Sequence, residues 1–252
     1  MIDSHAHYDD KAFDEDRDSL LSQLFSGKIR KIINVGASME SCKTTLALTE
    51  EYEHMYAAIG VHPSDTAHLT EDDMAWLKEK SALEKVVAIG EIGLDYYWDE
   101  PERDMQKKWF QRQLLLAKEV NLPVIIHSRD AAADTISIIK EYGQGLKGVI
   151  HCYSYTKETA REFLDMGYSF GIGGVLTFKN AKKLKEAVSY IPIDKILLET
   201  DCPYLAPEPN RGKRNSSLNI PYIVPVMAQL KGISEEEVIR ITRENTERLF
   251  GI

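Results

Sequence analysis

Short apolar runs alternate with amphipathic stretches along nearly the whole chain. Runs rich in Ile and Val occur at residues 2–7, 31–35, 56–60, 86–91, 123–127, 148–151, 169–171 and 196–200. Strands with one solvated face alternate apolar with polar residues, so these near-continuous runs predict strands buried on both faces. Between them the apolar spacing predicts helices over 15–25, 40–52, 71–80, 104–120, 131–142, 157–166 and 182–190, with a last helix over 235–250. Start signals support several of these. Thr70 precedes EDDM, Thr156 precedes KETA, and Ser234 is followed three residues later by Glu237, the spacing of a capping box.

Eight strand–helix alternations without a linker or low-complexity segment predict an α/β fold, a single (β/α)8 TIM-barrel domain over residues 1–252. The rival is an open doubly wound sheet, but its phosphate fingerprint is missing. The GIGG at 171–174 lacks the G-x-G-x-x-G spacing and reads as a loop after the seventh strand. No apolar run approaches the ~20 residues of a membrane span. MIDSHAHYDD lacks the basic start and apolar stretch of a secretory signal, so a cytoplasmic protein with no membrane contact is expected. Three cysteines (Cys42, Cys152, Cys202) suit neither a disulfide framework nor a C-x-x-C zinc site. The net charge of −9 excludes a general basic surface that coats nucleic acid, while leaving room for one local site that acts on it.

Chemistry-bearing residues gather at the ends of the predicted strands. His5 and His7 close the first run, two apart, so that in an extended strand they share a face, and alternation puts Asp3 on that face too. Glu91 ends VVAIGE, His127 ends PVIIH, His151 ends GVIH, and Asp201 follows ILLET. Each alone has an ordinary reading, as a buried polar contact, a loop carboxylate or a turn residue. Together they fall at the carboxyl ends of strands, the face on which barrel enzymes build their sites.

The motifs around these residues are DSHAH, GVHP at 60–63, GEIGLD at 90–95, IHSRDA at 126–131, ETDCPYLAP at 199–207 and NRGKRN at 210–215. With this strand order of ligands, the chain resembles the TatD family of metal-dependent deoxyribonucleases, within the amidohydrolase-type metal barrels. The resemblance runs from the first residue to the final helix. It implies a dinuclear site with His5, His7 and Asp201 on one divalent ion, His127 and His151 on a second, and Glu91 bridging both. The ligand chemistry favours Zn²⁺ or Mn²⁺, and the resemblance admits Mg²⁺. It also implies phosphodiester hydrolysis of DNA, acting 3′–5′ from single-stranded or frayed ends, with no obligatory protein partner. Two departures stand out: Asn215 is followed by Ser216 and Ser217 where the family commonly continues Glu-Pro, and His151 is followed by CYSY. Both bear on substrate contacts and leave the ligands untouched.

Several roles stay open. Asp201 is a general base or purely a ligand, and Glu199 orients a ligand imidazole or makes a plain buried contact. His62, by resemblance, donates to a phosphate oxygen; it otherwise packs beside Pro63. Arg129 clamps phosphate or pairs with a neighbouring carboxylate. Arg211, Lys213 and Arg214 contact the phosphate backbone or form a solvated run. Tyr96, Tyr97 and Trp98 stack on unpaired bases or pack a long loop. A hydrolase of amides or esters, such as an aminoacyl ester, could use the same ligands. So could a catalytically silent metal-binding scaffold.

Overall fold

The eight apolar runs form eight parallel strands in a computed structural model that describes residues 1–98 and 100–252. They are β1 (Ile2–Ala6), β2 (Lys31–Val35), β3 (Met55–Ile59), β4 (Val86–Asp95), β5 (Val124–Arg129), β6 (Gly148–Ile150), β7 (Ser169–Ile172) and β8 (Ile196–Leu198). Spatial order follows chain order from β1 to β8. Backbone hydrogen bonds bring the ends of the sheet together. The Asp201 amide donates to the His5 carbonyl and the His7 amide to the Cys202 carbonyl, each at 2.9 Å. The helices are α1 (Arg17–Ser26), α2 (Met39–Glu51), α3 (Glu71–Lys80), α4 (Arg103–Val120), α5 (Ala132–Tyr142), α6 (Lys157–Asp165), α7 (Lys182–Tyr190), α8 (Ile220–Lys231) and α9 (Glu235–Phe250).

The strands bury both faces, as their composition requires. Ile33, Val35, Ala58, Val87, Ile125, Val149 and Leu197 form one apolar cluster with Phe250 of α9. A larger cluster joins the other strand faces to the helices, including Ile32, Ile59, Phe110, Phe163 and Met227. Helix α9 is tied to the start of β8, where the Asn245 amide group donates to the carbonyls of Ile193 and Ile196 at 2.8 Å. The predicted caps form. Thr70 with Asp73 and Ser234 with Glu237 make reciprocal capping boxes, and the Thr156 hydroxyl accepts from the Thr159 amide.

Three departures from the sequence pattern bear on the site. The register of β1 against β2 shifts between Asp3 and Ala6, so strict alternation fails and Asp3 leaves the face of His5 and His7. Its carboxylate instead accepts from the hydroxyls of Thr200 and Ser217, both at 2.6 Å. Strand β4 runs to Asp95 rather than ending at Glu91, with its own register shift between Ile89 and Ile92. Such bulges re-aim a side chain, and the one here carries Glu91. Helix α8 forms although its segment holds Pro221 and Pro225. Pro221 sits in the first turn, where its missing N–H costs nothing. Half of the GIGG segment belongs to the strand rather than to a loop: Gly171 and Ile172 close β7, and Gly173 leads into a 3-10 helix over Gly174–Thr177.

Candidate metal centre

The carboxyl ends of the strands frame a cavity of ≈ 690 Å³ whose lining includes His7, His62, Glu91, His127, His151 and Asp201. His5 lies just beneath, fully buried. The six residues singled out as ligands therefore converge.

The two oxygens of Glu91 face different neighbours. Oε2 lies 3.4 Å from His5 Nε2 and 3.8 Å from His7 Nε2. Asp201 Oδ1 lies 3.7 Å and 3.4 Å from the same nitrogens, which are 3.1 Å apart. Oε1 of Glu91 lies 2.8 Å from His127 Nδ1 and 2.7 Å from His151 Nε2, and those two nitrogens are 3.2 Å apart. Four donors each about 2.1 Å from a tetrahedral ion stand about 3.4 Å from one another. The His5–His7–Asp201–Glu91 separations straddle that value, and a mixed imidazole–carboxylate set suits Zn²⁺ or Mn²⁺. That set fits a cation as it stands, whereas Glu91 Oε1, His127 and His151 lie closer together, at 2.7–3.2 Å, and would have to open to hold one.

Groups behind the imidazoles select the nitrogen each presents. His7 Nδ1 lies 2.8 Å from the Val35 carbonyl, which leaves Nε2 free to ligate. His127 is turned the other way. Its Nε2 meets Asp95 Oδ2 at 3.0 Å, so Nδ1 faces Glu91. Asp95 is fixed in turn, its other oxygen accepting from the amides of Tyr97 and Trp98. Gly93 lets the strand pass this close, since a Cβ there would fall 1.9 Å from the His127 carbonyl oxygen. No role for Asp95 follows from a strand ending at residue 91. The signal was its offset of four from Glu91, which in a longer strand puts both on one face.

Asp201 occupies the left-handed region (φ 57°), unusual for a residue with a Cβ. The Asn215 side-chain amide braces it by donating to the carbonyls of Thr200 and Tyr204, at 2.9 and 2.8 Å. Glu199 is buried beneath the ligands, and its Oε1 accepts from the Cys152 amide at 2.5 Å.

Charges sort by neighbour. Burial opposes charge on Glu91, but the neighbouring His151 and the hydrogen bonds from His127 and His151 hold its carboxyl well below the usual range. Asp201 is likewise lowered against burial, chiefly by its hydrogen bond with His7. Burial also opposes charge on His7, yet Asp201 and Glu91 outweigh it and lift the imidazole to about 10; Asp95 and Glu91 lift His127 to about 9. Burial and the neighbouring His127 push His62 down to about 3. Its Nδ1 accepts from the Ser64 amide at 3.2 Å, so the proton of this neutral ring sits on Nε2, 3.9 Å from Glu91 Oε1.

The remaining candidates divide. Arg129 lines the cavity, its guanidinium stacked 3.9 Å over the ring of Tyr97. Arg211 and Arg214 are not among the lining residues. Arg211 stacks on Phe178, while Arg214 makes a two-pronged pair with Asp16 at 2.6 and 2.7 Å and donates to the Ala12 carbonyl. Tyr96 packs, with its hydroxyl on Asp134, whereas Trp98 is exposed and lines the cavity with Tyr204 and Leu205. Asp9, Asp10 and Asp65 make the mouth acidic.

Known proteins share this arrangement of chain. The sequence profile described as TatD related DNase matches residues 2–251. The metal-dependent hydrolase YabD of Bacillus subtilis is 47% identical, over 100% of this chain and 99% of its own. The metal-dependent hydrolase YcfH of Escherichia coli K12 is 36% identical, over 100% and 96%. The crystal structure of YjjV, a TatD homologue from the same organism, superposes with a TM-score of 0.93 at 31% identity, covering 100% of this chain and 98% of that one.

Proposed function

The chain belongs to the family described as TatD related DNase, and from that premise we propose that it is a two-metal phosphodiesterase that removes nucleotides from single-stranded or frayed DNA ends, in the 3′–5′ direction. One observation carries the reading: the carboxylate of Glu91 divides its oxygens between His5, His7 and Asp201 on one side and His127 and His151 on the other. That is what a bridging ligand between two cations must do. Zn²⁺, Mn²⁺ or Mg²⁺ bound there would supply positive charge to the phosphoryl oxygens and acidify water near neutral pH.

The chain's own residues do the rest. Asp201 stays ionised across the physiological range and can accept a proton at the edge of the cluster. His62 Nε2–H points into the cavity and can donate to a non-bridging phosphate oxygen. Arg129, held flat on Tyr97, offers a planar fork to the same phosphate. Arg214 and Arg211, engaged with Asp16 and Phe178, fix the loop after β8.

The acidic mouth bears on how an anion enters. Glu91 and Asp201 carry two negative charges, so with the four imidazoles neutral two divalent cations would bring this ligand set to plus two. Affinity for a phosphodiester therefore depends on metal loading. Trp98 follows β4 and Tyr204 follows β8, strands half a turn apart in an eight-stranded barrel. Exposed rings on opposite walls of one cavity suit stacking against unpaired bases.

The test is to incubate the protein with end-labelled single-stranded DNA, blunt duplex and an aminoacyl ester, each with Mg²⁺, Mn²⁺ or Zn²⁺. Metal-dependent release of mononucleotides from the single strand is expected, with slower attack on the duplex. Trp98→Ala should raise KM for the single strand about 5–10-fold and leave cleavage of an abasic single strand, which offers no ring to stack, within about twofold. Ester cleavage without nucleotide release would replace this reading with that of a carbonyl-ester hydrolase.

A further inference from the structure

Three buried polar atoms near the centre have no hydrogen-bond partner among the described residues: His5 Nδ1, His151 Nδ1 and Glu199 Oε2. They belong to one cluster, in which ligating atoms of His5, His151 and Glu199 all lie within 4.8 Å of one another. The two rings stack at 3.9 Å between centroids with 13° between planes. Each turns Nε2 towards Glu91, His5 to one oxygen and His151 to the other. Glu199 Oε1 lies 3.9 Å from His151 Nδ1. The chain makes room for this carboxylate at β7, where Gly171 stands: a Cβ there would fall 1.9 Å from Glu199 Oε2.

A neutral imidazole that offers Nε2 to a cation carries its proton on Nδ1. For His7 that proton has the Val35 carbonyl, and the oppositely turned His127 has Asp95 for its Nε2 proton. His5 and His151 have neither, and the acceptor beside both is Glu199. With the Cys152 amide, three N–H donors then surround one carboxylate, which is acceptor-only when ionised. We propose that Glu199 is a positioning residue shared by the two halves of the centre, its carboxylate accepting from Nδ1–H of both His5 and His151 and so coupling the two cation sites from below. A movement of about 1 Å closes the His151 contact to hydrogen-bond length. The inference rests on the two-cation reading.

Glu199→Gln separates this role from mere space filling. Glutamine keeps the size and can still accept from the Cys152 amide, but it places an N–H where a second acceptor is needed. Chelator-stripped protein is titrated with Zn²⁺ against a competing chelating indicator. Wild type should take up two equivalents. Glu199→Gln should bind both about 10–100-fold more weakly, with the thermal midpoint of the stripped protein equal to or above that of wild type, since a buried carboxylate is gone. Unchanged affinity, or weakening at one cation alone, overturns the shared role. A wild type that binds no Zn²⁺ would overturn the two-cation reading instead. A second measurement needs no variant. In ¹⁵N-histidine spectra of Zn²⁺-loaded wild type, His5 and His151 should carry slowly exchanging Nδ1 protons, and finding either proton on Nε2 overturns the inference.

Discussion

The two halves of the centre share Glu91 but are built to different spacings. On the β1–β8 side, donor atoms stand 3.1–3.8 Å apart, and backbone contacts hold their bearers: the Val35 carbonyl for His7 and the His5 carbonyl for the Asp201 amide. On the β5–β6 side, Glu91 Oε1, His127 and His151 lie 2.7–3.2 Å apart, in hydrogen-bonding contact. The first half also has Asp201 to itself, while the second has only its share of Glu91. Charge and spacing therefore agree. Both sides must give up hydrogen bonds to coordinate, but the β1–β8 side already stands near coordination spacing, whereas the β5–β6 side must also open. The expected order of loading is β1–β8 first.

Removing the shared group should erase the contrast altogether. Glu91→Ala should lower kcat/KM for single-stranded DNA by at least about 10³-fold and abolish uptake of the second equivalent of Zn²⁺. Near-normal turnover would end the bridging role. A smaller, one-sided effect is expected from Asp95→Asn, which leaves one oxygen to serve both His127 and the loop amides. The second equivalent should weaken about 10–100-fold and the first by less than about threefold. Equal weakening of both would show that the halves are not independent at that position. The mildest probe is pH. His7, lifted to about 10, and His127, lifted to about 9, each hold a proton at neutrality that a cation must displace. Apparent affinity should rise about tenfold per pH unit between pH 6 and 8 on the β1–β8 side and level off above about pH 10, and rise at least as steeply on the β5–β6 side, where, against burial, Glu91 raises His151 as well. Competition titrations at three pH values measure the slope, and a flat profile would contradict proton displacement on either side.

Much of this was legible in the chain because ligands at strand ends interrupt a simple code. PVIIH and GVIH show an apolar strand stopping at a histidine, and a barrel turns such stops into a common rim. What escaped depended on local exceptions or on distance. The register shift in β1 moves Asp3 off the face that alternation assigns it, onto Thr200 and Ser217. Ser217 stands at one of the two positions where the chain departs from the family's usual Glu-Pro, so that departure supplies a buried hydroxyl to Asp3. Pro225 masked α8, although its buried residues Ile220, Ile223, Val224, Met227 and Ala228 follow helical spacing. Arg214 looked free in its basic run because its partner Asp16 is 198 positions away.

The seam at which the last strand meets the first also sets when the site can exist. During synthesis His5 and His7 leave the ribosome early, but the carboxylate that completes their set is borne by Asp201, whose amide hydrogen-bonds to His5. Asn215, which braces the turn around Asp201, emerges later still. Until those residues appear, the growing polypeptide holds an incomplete set of the proposed ligands, and a product terminated before them never completes it.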